Sequence, residues 1–95
     1  MKTMETYISK VCDEANDAMH YAEQYLINKN RNPQWAKMYM DMANQELLHA
    51  NYLKSIGDDM IAAAAWVPED DLDRWDNCVA KMAEKEAMVR VMLSK

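Results

Sequence analysis

Three side chains of this 95-residue chain have the types and spacing for metal chemistry: Glu14, Glu46 and His49. Glu46 and His49 stand three residues apart, so on a helix both project from one face. Glu14 is the only charged member of the series Met4, Tyr7, Val11, Glu14, Ala18, Tyr21, Tyr25, which follows 3-4 spacing. The series Trp35, Tyr39, Met42, Glu46, His49, Leu53, Ile56 is likewise apolar at both ends and polar in the middle. Positions spaced this way should face a partner helix in a bundle. Burying one unpaired carboxylate costs on the order of several kcal/mol. A fold therefore keeps such a group only when it is paired, hydrogen-bonded or bound to metal. Carboxylate oxygen and imidazole nitrogen together suit Fe, with Mn and Zn taking the same donors. The competing expectation is a purely structural Glu/His layer closed by its own hydrogen bonds.

The elements that must position these residues are helices. Hydrophobic residues make up 51 % of the chain, while one Gly, two Pro and no Phe leave little material for sheet turns. Ala, Met, Leu, Glu, Lys and Gln are abundant, and all favour helix. The expectation is an all-α fold in a single domain over residues 1–95, with helices at about 3–28, 33–56 and 68–93. The polar tetrad Lys29-Asn30-Arg31-Asn32 breaks the first helix. Asn32-Pro33 reads as an N-cap followed by proline at the first helical position. Gly57, the only glycine, reads as the stop of the second helix. A partly helical connection over 58–67 should follow. Pro68 with Glu69, Asp70 and Asp71 reads as a third start, its acids placed well for the helix dipole. The first two helices then form an antiparallel hairpin in which each carries one apolar stripe. Glu14 lies about 16 residues before the turn, and Glu46 to His49 about 16 to 18 after it. At equal rise per residue all three fall at one level.

Two-metal carboxylate sites in helical bundles take one Glu from each of two helices and Glu-x-x-His from each of the other two. Half of that set is present here. The third helix has no histidine, so the other half must come from a second chain, and a two-fold dimer repeats every ligand. The expected site is Glu14, Glu46 and His49 from each of two protomers, in a homodimer or a higher homo-oligomer built from it. A domain this short commonly leans on such an oligomer or on a metal.

At these residues the chain resembles the ferritin-like superfamily, particularly its rubrerythrin-type helices. The likeness lies in Glu14-Ala15-Asn16-Asp17-Ala18-Met19-His20-Tyr21-Ala22 and in Ala43-Asn44-Gln45-Glu46-Leu47-Leu48-His49-Ala50, and spans about residues 7 to 57. It implies a terminal carboxylate ligand at Glu14, a bridging carboxylate at Glu46 and a terminal imidazole at His49. It also implies a di-iron site that oxidises Fe(II) with oxygen or peroxide. The chain departs from the family in lacking a second pair of metal helices and a four-cysteine rubredoxin module. The half-length plan is similar to encapsulated ferritins, although Val91-Met92-Leu93-Ser94-Lys95 does not read as a shell-targeting tail.

Other residues carry weaker signals. Asp17-x-x-His20 and the His20–Glu23 pair have ligand spacing, but a solvated helix face is the favoured reading. Tyr21 and Tyr25 are expected to pack, with the family suggesting a redox or supporting role for Tyr21. Glu86 falls in the third helix's series Leu72, Trp75, Val79, Met82, Glu86, Val89, Leu93, and should sit at the edge of that stripe rather than on the metal. The ten methionines are expected to fill the core. Cys12 and Cys78 belong to no CxxC motif and are expected as buried or free thiols in a reducing compartment. A net charge of −5 without a basic cluster argues against nucleic acid or an anionic membrane as partner. No apolar run approaches a membrane span. Met1-Lys2-Thr3-Met4-Glu5 lacks a signal-peptide core, so a cytoplasmic location is expected.

The leading expectation is thus an iron-binding protein with ferroxidase-type oxidoreductase capacity. A peroxide reductase would need a separate electron donor protein. A non-catalytic helical oligomerisation module would use the Glu/His layer only to set register.

Overall fold

The computed structural model describes residues 2–95. Met1, at the head of the stretch read for a leader, lies outside them. Three helices follow in order: α1 (Lys2–Asn28), α2 (Pro33–Ala63) and α3 (Glu69–Leu93). Among the described residues there is no strand, and no helix is long and apolar enough to cross a membrane.

The turn between α1 and α2 is built as its residues suggest. The Asn28 amide donates to the Gln24 carbonyl at 2.8 Å, closing the end of α1. Asn32 caps α2, its side-chain oxygen accepting from the Trp35 N–H at 3.1 Å, with Pro33 inside the first turn. α3 begins at Glu69, one residue later than expected. Pro68 stands outside it as the cap, its carbonyl accepting from the Asp71 and Leu72 N–H groups at 3.0 and 3.1 Å.

α2 departs from the expected stop at Gly57. It runs on for six more residues to Ala63, and Gly57 has no positive φ. The glycine is there for packing. A Cβ at this position would lie 2.3 Å from the Trp75 ring, so only Gly lets the indole lie against the helix backbone. Around that contact the Trp75 indole N–H donates to Asp58 at 2.8 Å, and Lys54 pairs with Asp58 at 2.7 Å. These bonds span the glycine and offset its low helix propensity. The chain leaves the helix at Ala64, which is extended, its N–H bonded back to Met60 and Ile61.

α1 is the central helix. α2 returns antiparallel along it, and α3 runs parallel to it while touching α2 little. The parallel register is visible in Arg74 on Glu5, Cys78 on Ile8 and Lys85 on Asn16. Two apolar clusters result. The lower holds Met4, Val11, Ala15, Ala50, Trp75, Cys78 and Met82. The upper holds Ala18, Ala22, Ala43, Leu47 and Val89. α1 therefore carries two stripes rather than the expected one. The second, Ile8, Cys12, Ala15 and Met19, also follows 3-4 spacing and meets α3.

The expected inward stripe of α2 is also different. Its buried residues are Ala36, Ala43, Leu47, Ala50 and Gly57. Small side chains on this face let α1 and α2 approach closely. The bulky members of the predicted series turn away, with Trp35, Met42, His49 and Ile56 all exposed. Among the described residues, none of α1 or α3 buries them. The molecule is accordingly a rod of 53 × 17 × 16 Å. Its radius of gyration is 15.3 Å, against about 12 Å for a compact domain of this length.

Candidate metal centre

Glu14, Glu46 and His49 come together where the sequence register places them. His49 Nδ1 lies 3.9 Å from Glu14 Oε2 and 4.0 Å from Glu46 Oε1. Donor atoms of all three lie within 4.8 Å of one another, and among the described residues no other group of three His, Cys, Asp or Glu forms such a cluster. Each helix contributes through its periodicity. Glu46 and His49 share one face of α2, and the antiparallel return brings that face level with Glu14 on α1. The cluster sits at the joint between the two apolar clusters, with Val11 and Ala15 to one side of Glu14 and Ala18 to the other.

The spacing matters chemically. Separations of 3.9 and 4.0 Å exceed hydrogen-bond distance, so the three side chains do not close a layer on themselves. Two donors on one first-row ion, each about 2.0–2.2 Å from it, can be no more than about 4.4 Å apart. The two His49–carboxylate separations, 3.9 and 4.0 Å, meet that limit, and all three donors lie within 4.8 Å of one another. The donor set therefore fits a single ion per chain. The side chains are 28 % exposed at Glu14, 21 % at Glu46 and 53 % at His49. Both carboxylates reach solvent in the lone chain, which accounts for two acids standing together with no Lys or Arg partner among the described residues.

The cluster opens onto the uncovered face of the hairpin. About one to three turns before Glu46, Trp35, Met38, Tyr39 and Met42 line a shallow apolar groove. Trp35 and Met38 are each 56 % exposed, and beyond His49 the exposed Tyr52 and Ile56 continue the face. On α1, Tyr21 is half-buried and stacks on Tyr39, the ring centroids 6.3 Å apart. This stack bridges the two helices above the carboxylates.

The weaker candidates lie elsewhere. His20 is exposed with Asp17 and Glu23 and rests against the Tyr21 ring, so the solvated-face reading describes it. Glu86 is half-buried but accepts from Arg90 at 2.9 Å and from the Asn51 amide at 3.3 Å, on the α2–α3 side of the rod. Those partners satisfy it away from the Glu/His cluster. Tyr25 is half-buried on α1.

One pair escaped the sequence reading. Cys12 and Cys78 are both free thiols, as expected, yet their sulfurs meet at 3.5 Å across the α1–α3 contact. The second stripe of α1, where Cys12 stands four residues after Ile8, marks Cys12 as a packed position but does not name its partner.

No protein-family model, curated protein or solved structure matches the chain.

Proposed function

We propose that two copies of this chain pair through the open face of the α1–α2 hairpin and hold two iron ions between the Glu14, Glu46 and His49 sets. The reading rests on one observation: three metal-type donor groups lie within 4.8 Å of one another on a face that is otherwise apolar and uncovered. A structural Glu/His layer closed by its own hydrogen bonds is disfavoured, because the imidazole nitrogen stands 3.9 and 4.0 Å from the two carboxylates, at ion-pair rather than hydrogen-bond reach. Pairing two such faces would assemble four helices around four glutamates and two histidines, the donor set of a two-metal bundle.

The family resemblance assigns the roles. Glu46 of each chain would be shared between the ions, and Glu14 and His49 would each hold one. The carboxylates would supply negative charge to balance the ions, and the imidazole would offer one ring nitrogen as donor. Met38, Met42 and Ile56 would pack against the second copy, excluding water and fixing the donors in place. The chemistry supplied with iron bound is oxidation of Fe(II): two ions give one electron each, and dioxygen takes both with two protons and leaves as hydrogen peroxide. Hydrogen peroxide as the oxidant takes the same two electrons and two protons and leaves as two waters.

Sedimentation of the metal-free and Co(II)-loaded protein tests the assembly. The expected result is a particle of two chains with one ion bound per chain, and helical but ion-free protein for Glu46→Ala. A wild-type chain that stays single and binds no ion saturably overturns the proposal. Peroxide turnover that requires an added reductant would redirect the chemistry to peroxide reduction at the same site.

A further inference from the structure

The side of α1 away from the Glu/His cluster carries a second pair of reactive groups. Cys12 Sγ and Cys78 Sγ are 3.5 Å apart although 66 residues separate them in sequence. They lie under a surface groove lined by Ile8, Cys12, Arg74, Asn77, Cys78 and Lys81. The two thiols are not equivalent. Cys12 is half-buried at the groove, while Cys78 is buried, its S–H donating to the Ile8 carbonyl at 3.6 Å. Burial, reinforced by the contact with Cys12, pushes the Cys78 thiol up to about 12. At neutral pH it is held as the protonated partner.

We propose that Cys12 and Cys78 are a peroxide-reactive dithiol that closes to an intramolecular disulfide, stapling α1 to α3. The sulfurs already touch, so the bond of about 2.05 Å needs side-chain movement of the order of an ångström. Cys12, the accessible member, attacks one oxygen of hydrogen peroxide. The O–O bond breaks, a sulfenic acid forms at Cys12, and the second oxygen leaves as water. Cys78 then attacks the Cys12 sulfur. The S–S bond forms, the S–O bond breaks, and the hydroxyl takes the Cys78 proton and leaves as water. Both thiols are oxidised together by two electrons, and one peroxide is reduced to two waters.

The pair is independent of the metal centre. Cys12 precedes Glu14 by two residues, about 200° around the helix, so the groove faces away from the open hairpin face and stays accessible in the proposed dimer. The staple encloses a long loop, for which the loss of unfolded-chain freedom is large. Oxidation should therefore raise the melting temperature by roughly 10 °C or more.

The test treats wild-type protein, in chelator, with a small excess of hydrogen peroxide and follows free thiols and intact mass. The expected result is loss of both thiols, a mass lower by two hydrogens in a single chain, and full recovery on adding dithiothreitol. Cys78→Ala should stop at a sulfenic acid that dimedone traps, and Cys12→Ser should react at least ten times more slowly than wild type. Disulfides only between chains, or a wild-type Cys12 driven to sulfinic acid while the Cys78 thiol survives, overturn the proposal. So does a Cys12→Ser variant that reacts as fast as wild type. The wild-type mass and thiol readings stand even if either variant fails to fold.

Discussion

α1 has two faces that pack, and the chain finishes only one of them. Toward α3, Ile8, Cys12, Ala15 and Met19 meet Cys78, Met82, Leu93 and their neighbours, and this side is closed within the chain. Toward the hairpin opening, Glu14 and Tyr21 stand beside Glu46, His49, Met38 and Met42 with nothing over them. The closed face is mostly apolar, with the paired thiols and, near the start of α3, the buried Asp71, which Arg74 approaches at 3.9 Å. The open one carries two acids and a histidine at its middle. Closed within the chain, a charged group is held by partners, as Asp71 is by Arg74; on the open face the acids and the histidine stand without a Lys or Arg partner among the described residues, which is the feature the proposed pairing would use.

The largest expected difference between the two faces is in stability. Trp75→Ala removes the indole packed on Gly57 and should cost about 3–5 kcal/mol in urea unfolding. Met38→Asp on the open face should change the unfolding free energy of dilute protein by no more than about 0.5 kcal/mol. The same Met38→Asp change should weaken self-association by a factor of roughly 30 or more, as loss of a central apolar contact does. Equal destabilisation by the two substitutions would break the distinction between the faces.

A smaller effect sharpens the closed side. Gly57→Ala places a methyl group against the Trp75 ring and should cost about 1–3 kcal/mol, despite the better helix propensity of alanine. Combined with Trp75→Leu, the alanine should cost much less, because the clash goes with the ring. Thermal melts of the four proteins in the cycle read this directly.

The smallest effect is acid sensitivity. The hydrogen bond from Lys54 and then that from Trp75 hold the Asp58 carboxyl below its ordinary value. A carboxyl whose folded value is depressed adds stability above the unfolded value of about 3.9. That contribution is lost as pH falls through the lower folded value. Stability should therefore decline as pH drops below about 4, and Asp58→Asn should flatten that part of the profile. Nearly half of the Asp58 side chain is exposed, which keeps the effect small.

Much of this architecture was legible beforehand. Helix number and type, the Asn32 cap, the start near Pro68 and the level match of Glu14 with Glu46 and His49 all follow from local rules or from equal helical rise. Three features resisted because they depend on tertiary contacts. Gly57 carries the same residue signal whether it ends a helix or admits an indole, and only the position of Trp75 decides. The inward face of α2 was hidden because hydrophobicity favours Trp35, Met42 and Ile56, whereas close approach of α1 and α2 selects Ala36, Ala43 and Ala50. The Cys12–Cys78 contact needed the register between α1 and α3, which no sequence spacing supplies across 66 residues.

The most direct test of the shared two-metal centre is aerobic Fe(II) titration of metal-free protein, followed by the ultraviolet absorbance of Fe(III), beside Glu46→Ala. The account predicts absorbance that rises to a break at one iron per chain, two per pair, and that is absent in the variant. A wild-type trace with no saturable iron signal, or one that Glu46→Ala reproduces, contradicts it.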